Sequence, residues 1–393
     1  MRLLLFRQKN FNMKPLKYLI LPCLLMLTIT ASAQDRMDFE TYNPKSTLVV
    51  KQHLIKRAKY KFIDVHNHQW DMPNQDLKAL LRDMDTLNMG AMVNLSGRGY
   101  KEIPNYHGTT LFSVNGPEYL YRSLDNVHKN GDGRLLVFTN IDFIGIDDPN
   151  WTKNTVAQLE KDVKYGASGL KIYKELGLEI KDKNGKRIHV DDPRLDPIWE
   201  KCGELHIPVL IHTGEPSPFF DKPDADNERW LELKLHPDRA RPSSRYPSWK
   251  QVMSEQHHIF AKHKHTMFIA AHFGWLANNL DALGRMLDTL PNVYTEFAAV
   301  MEEIGREPHT ARSFFIKYQD RIMFGKDTWS VPEYGFYFRM LETDDEYFPP
   351  LRKYHAFWHM YGLALPDDVL KKIYYKNALK LFPKVDKSMF PPN

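Results

Sequence analysis

Cysteine is nearly missing from this 393-residue chain, which has two, Cys23 and Cys202. A disulfide framework is thereby excluded, and stability must come from an apolar core, for which 42% hydrophobic residues suffice. No glycine-rich phosphate turn or P-loop follows an early strand-like run, which argues against a doubly wound nucleotide-binding sheet, the alternative open α/β architecture. No basic stripe with interleaved aromatics points to nucleic acid. Low-complexity linkers, short repeats and a second domain are also absent from the mature region.

Long hydrophobic runs are scarce as well. The apolar run at residues 18–28 is too short to span a bilayer comfortably. It follows Lys14 and Lys17 and ends in Ala31-Ser32-Ala33-Gln34, the order of a secretory signal cut after Ala33. Residues 1–33 are therefore expected to be a leader, with Met13 opening its basic lead and residues 1–12 an over-extended start. Cys23 lies inside the run before Leu24 and Leu25, which argues against a lipidated terminus there. Removing Arg2, Arg7, Lys9, Lys14 and Lys17, and no acid, takes the net charge from +5 to zero, so the basic balance says nothing about partners. The expectation is an exported protein, periplasmic or extracellular, with no retained membrane span. Cys202, alone after cleavage, reads as a packed structural thiol.

What is present is alternation. Short β-rich runs at 62–66, 91–95, 135–141, 169–173, 208–212, 267–272, 293–297 and 321–325 are separated by longer helix-like stretches. Eight such units predict an α/β fold, a (β/α)8 TIM barrel, over residues 62–385. A short N-terminal extension, 34–61, precedes it and a tail, 386–393, follows. Residues 366–382 carry helical periodicity in Val369, Leu370, Ile373, Ala378 and Leu381 and read as the last outer helix. A long loop after the fifth strand, from Glu215 to about Ser248, holds Phe219, Phe220, Trp230 and Tyr246, with Trp249 just beyond it. It reads either as a substrate lid or as an ordered surface excursion.

Ligand-type side chains end several of these runs. Ile63-Asp64-Val65-His66-Asn67-His68 puts two imidazoles two residues apart, on the same side of a strand. His212 ends Val209-Leu210-Ile211, His272 ends Phe268-Ile269-Ala270-Ala271, and Asp327 follows Met323-Phe324-Gly325-Lys326. Packing explains one polar strand end more readily than four at one barrel mouth, and neutral imidazoles with a carboxylate suit a divalent ion such as zinc.

As a set, this order of His-x-His, His, His and Asp is similar to that of the amidohydrolase-related proteins, which include aminocarboxymuconate-semialdehyde and resorcylate decarboxylases and several lactonases. The resemblance runs from Ile63 to Tyr375-Lys376-Asn377-Ala378. It implies that His66, His68, His212 and Asp327 hold one divalent metal ion, with zinc the expected one, and that His272 and Asp327 are catalytic. Departures at Lys326, Trp329 and Trp275 bear on the substrate pocket rather than on the metal.

Lys171, on the fourth strand, is a substrate-binding candidate, although related two-metal proteins carbamylate a lysine there and an ion pair is the structural alternative. Arg98 and Glu296 are further substrate-binding candidates that salt bridges explain equally well. His257, His258, His263 and His265 read as a solvated helix face. The expected activity is hydrolysis of a C–N or C–O bond (amide, cyclic amide, lactone or ester) of a small molecule by metal-activated water. The alternatives are metal-dependent non-oxidative decarboxylation of an aromatic or unsaturated acid and, from another class, a non-catalytic metal-containing binding protein. The partner expected is a small-molecule substrate, and a homo-oligomer is left open.

Overall fold

The computed structural model describes residues 37–391, so the expected leader with its cleavage point lies outside the described residues. The chain divides into two units, residues 1–49 and 50–393. Of the first, residues 37–49 hold one turn, in which the Asp38 carbonyl accepts from Thr41 and Tyr42.

The second unit is built on eight parallel strands, β1 Phe62–His68, β2 Met89–Asn94, β3 Leu135–Val137 continued by Thr139–Asn140, β4 Leu170–Ile172, β5 Val209–Ile211, β6 Phe268–Ala270, β7 Val293–Glu296 and β8 Ile322–Met323 continued by Asp327–Thr328. Each coincides with one of the expected runs, and most are shorter. β3 and β8 are each broken into two lengths, and each pairs with one neighbour before its break and the other after it. The first part of β3 pairs with β2 and the second with β4, while β8 pairs first with β7 and then with β1. These two divided strands close the barrel, helped by Val65 N–H donating to Phe324 O at 2.9 Å.

Local chemistry sets the helices around it. Helix Leu77–Leu87 begins at Asp76, whose carboxylate accepts from Ala79 N–H, and buries Leu77, Leu80, Met84 and Leu87 on one face. The expected last helix forms as Asp367–Lys371 and Asn377–Leu381 joined by one wide π turn, Lys372–Lys376. The Ile373 carbonyl in that turn accepts from Phe324 N–H at 3.0 Å, where β8 is interrupted. Residues 50–61 have no regular structure but are tied down by Ala58 N–H to Leu87 O and Lys59 N–H to the Glu342 carboxylate. An antiparallel hairpin, Lys101–Tyr106 with Thr109–Ser113, was not expected. No helix of the described residues is long and apolar enough to cross a membrane.

The loop after β5 is ordered. It contains a helical turn, Trp230–Leu235, and buries Phe219, Leu231, Leu233 and Tyr246. Buried charges fasten it: Arg229 pairs with Glu232 at 2.8 Å and with Glu303, and Arg241 pairs with Glu215 at 2.9 Å.

Candidate metal centre

The C-terminal ends of β1, β5, β6 and β8 deliver His66, His68, His212, His272 and Asp327 to one mouth of the barrel, where this fold concentrates its chemistry. Asp327 Oδ1 lies 3.6 Å from His66 Nε2 and 3.4 Å from His68 Nε2. The ligand atoms of these three residues all fall within 4.8 Å of one another, as do those of His66, His272 and Glu296.

Hydrogen bonds on the far side of each ring set where the lone pairs point. His66 Nδ1 meets Glu296 Oε1 at 2.8 Å, so that nitrogen carries the proton and Nε2 is left with a lone pair aimed toward Asp327. His68 Nδ1 meets Ser96 Oγ at 2.6 Å, Ser96 Oγ meets the Tyr173 hydroxyl at 3.0 Å, and that hydroxyl donates to Leu95 O. The run of donors leaves His68 Nε2 basic as well. His272 Nδ1 donates to Ala298 O at 2.7 Å, and its Nε2 accepts from His212 Nδ1 at 3.2 Å. His212 Nε2, like His66 Nε2, is buried with no hydrogen-bond partner.

Burial keeps the imidazoles neutral, pushing His68 and His212 down to about 3 and His66 well below its ordinary value. Burial works against the charge on Asp327 too. The rings of His66, His68 and His272 and the Lys171 ammonium nevertheless outweigh it and hold the carboxyl below its usual range. Two imidazole lone pairs and a carboxylate oxygen thus face one another with no proton between them, an arrangement that repels itself unless a cation sits among them. The donor set therefore fits a divalent ion of borderline softness. His212 stands apart from the His66, His68 and Asp327 trio and is joined to it through His272.

Glu296, raised from sequence as a substrate contact, is here a bracket. Its Oε1 takes both His66 Nδ1 and the His272 N–H (2.8 Å each), and its Oε2 takes the Ala298 N–H at 2.6 Å. Gly325 makes this approach feasible, since a Cβ there would lie 2.5 Å from Glu296 Oε2 and 2.9 Å from His66 Cβ. Asp64 braces the other side, accepting from His66 N–H, Asn67 and the Tyr334 hydroxyl.

Lys171 is 1% exposed and its Nζ has no hydrogen-bond partner. Burial lowers it to about 8, against the pull of Asp327, Glu296 and Glu175. Arg98 is placed otherwise, with its guanidinium on Asp162 at 2.7 Å rather than on any histidine of the cluster. That is the structural salt bridge its sequence context allowed.

His272 sits in a strained turn. His272, Phe273, Gly274 and Trp275 all have φ between 54° and 57°, the left-handed region that side chains other than glycine avoid. The Trp275 ring lies on His272, centroids 4.6 Å apart, so one departure from the family pattern packs against the site itself. Lys326, another, points to Thr328 O and Glu333. The Ser96–Tyr173 relay was missed from sequence because a lone serine and tyrosine carry no pattern. His258 and His263 are engaged by Asp191 and Asp196. Cys202 is fully buried, as a packed thiol would be.

A family model described as amidohydrolase matches residues 140–384. Among solved structures, a 2,6-dihydroxybenzoate decarboxylase complexed with 2,6-dihydroxybenzoate is 14% identical, covering 82% of this chain and 99% of its own, with a TM-score of 0.51. The TIM-barrel protein Bb4693 from Bordetella bronchiseptica is 14% identical over 83% of this chain and 99% of its own, TM-score 0.47. A putative 2-pyrone-4,6-dicarboxylic acid hydrolase from Pseudomonas putida is 15% identical over 86% and 100%, TM-score 0.44. At 14% identity the likeness to the decarboxylase, whose TM-score is 0.51, is one of fold alone. No curated protein matches the chain.

Proposed function

Because the chain belongs to the amidohydrolase family, we propose that it is a hydrolase that adds water across a C–N or C–O bond of a small molecule at the His66, His68, His212 and Asp327 centre. The observation that carries the reading is the convergence of His66 Nε2 and His68 Nε2 on an ionised Asp327 Oδ1. A divalent ion held there, zinc by the chemistry of the donors, supplies Lewis acidity that acidifies water and polarises a carbonyl. Asp327 accepts the proton of the attacking water at its carboxylate. His272, its Nδ1 fixed on Ala298 O, exchanges the His212 contact at Nε2 for that proton and passes it to the leaving group. Glu296 holds the His66 ring in the orientation and tautomer that ligation requires. Lys171, a buried cation without a partner, neutralises negative charge on the substrate.

The test is metal analysis of the purified protein, then turnover of a panel of esters, lactones, amides and aryl carboxylates in 18O-water. One ion per chain with label in the product is expected. Release of carbon dioxide with no label in the remaining organic product would assign decarboxylation instead, and neither activity in metal-loaded protein would leave a binding protein. Export is part of the proposal, supported by the order of basic lead, apolar run and Ala-x-Ala end. N-terminal sequencing of secreted protein should start at Gln34, and an intact cytoplasmic chain would refute it.

A further inference from the structure

The insertion after β5 is the obvious place to look for substrate selection, yet all of its aromatic residues but the half-buried Trp230 are used up in packing. Phe219 and Tyr246 are buried, and Phe220 and Trp249 pack onto the cluster formed by Leu178, Tyr246, Val252 and Met253. Large aromatic surface is open elsewhere, beside His68. Trp70, two residues beyond that histidine, stacks on its ring with centroids 4.9 Å apart and planes 6° from parallel. Tyr173 lies nearly parallel to both rings, 5.8 Å from His68 and 6.2 Å from Trp70. Tyr100, just before the hairpin, and Phe112, within it, meet Trp70 at steep angles, 6.3 and 5.9 Å away. Despite these neighbours Trp70 remains 41% exposed and Tyr100 45%.

The stack starts at a nitrogen donor of the metal centre and runs outward to solvent. Its inner end also reaches the unpartnered cation, for Lys171 Nζ lies 5.6 Å from the centre of the Tyr173 ring, and Phe112, Tyr173 and Lys171 line one cavity. An apolar surface this exposed beside a reactive centre is costly to leave wet, and flat rings cover it best, by offset or edge-to-face stacking.

We propose that Trp70, with Tyr100 and Phe112 behind it, is the specificity wall of this enzyme, and that it stacks on a flat aryl group of the substrate lying outside the bond that reacts. Trp70, just beyond β1, and the aromatic residues at the hairpin, not the β5 insertion, then set substrate choice. The proposal rests on the reading of the centre given above, because it takes the reacting bond to lie at the His68 end of the stack.

Binding without turnover tests it. Metal-loaded protein is titrated calorimetrically with benzoate and with cyclohexanecarboxylate, matched in charge and similar in size but flat and puckered respectively. Benzoate should bind about 3- to 10-fold more tightly, the range of one aromatic contact. Trp70→Ala should abolish the preference and Trp70→Phe should keep most of it, with metal content unchanged in both and each variant titrated below its own melting temperature. Tyr100→Ala, at the exposed rim, should weaken it. Equal affinity for the two acids, no benzoate binding below about 10 mM, or a preference that survives Trp70→Ala overturns the proposal. Flat-ring preference without hydrolysis would defeat the assigned reaction and keep the wall, whereas hydrolysis with no ring preference would do the reverse.

Discussion

Asp327 and His272 differ in what each can lose. Asp327→Asn keeps the shape and an oxygen but gives up the negative charge, so turnover should fall by at least about 100-fold, the lower range for a lost acid–base group. His272→Asn should fall comparably while retaining more metal, because its Nδ1 is committed to the Ala298 carbonyl and only Nε2 faces the site. Kinetics on metal-loaded, folded variants decide this, and near-native rates in both would remove the mechanism. Lys171 gives a prediction of opposite sign for stability. Its amine is near 8 when folded and 10.5 when unfolded, so from pH 8 to 10.5 the unfolded chain binds the extra proton and stability rises with pH. Below that window the folded protein bears a cost of up to about 3 kcal/mol. Lys171→Met should therefore stabilise the metal-free protein at pH 7 by up to that amount and flatten the rise above pH 8, as urea unfolding at pH 7 and 9.5 would show. At this scale the sequence was readable wherever a polar side chain ended an apolar run, as at His66, His212 and Asp327. It was not readable where a residue acts through distant neighbours. Glu296 and Arg98 both read as acceptable salt-bridge residues, yet one braces two histidines and the other pairs with Asp162.

Elements connect these residues with unequal rigidity. The insertion after β5 is pinned by Arg229 between Glu232 and Glu303, all buried, and by Arg306 on Glu228 at 2.7 Å. Glu303→Ala leaves Arg229 with half its compensation and should cost about 2–4 kcal/mol. Hydrogen exchange should then rise across residues 215–248 before it rises in the strands. Uniform exchange throughout would mean that the insertion is not fastened there. The Arg229–Glu303 and Arg306–Glu228 pairings link residues far apart in sequence, so the aromatic composition of the loop suggested a lid while these partners that hold it down gave no local sign. The hairpin was hidden for another reason. Lys101-Glu102-Ile103-Pro104-Asn105-Tyr106 carries a charged pair and a proline and lacks the alternation of a half-buried strand.

For the whole molecule, the eight β-rich runs sufficed to read the barrel, because each must be buried and each is followed by a helix-like stretch. The divided form of β3 and β8 was not readable, since a break of one to three residues leaves the apolar pattern intact. If the centre holds its ion only when folded, removing it should lower the melting temperature. The stabilisation lost is about 4 kcal/mol for an ion present at a thousand times its dissociation constant. A chelator titration followed by calorimetry checks this, and the His66→Ala, His68→Ala double variant should show no response to the ion. The last closing bonds to form in chain order are those of β8, which joins β7 to β1, and of the wide turn of the last helix, bonded to Phe324. During synthesis, which runs from the N-terminus, β1 and β7 therefore keep bare edges until residues 322–328 have emerged. The nascent chain cannot lock into its finished form early, and a prematurely terminated product carries two open strand edges, a ready target for chaperones and proteases and a hazard for aggregation.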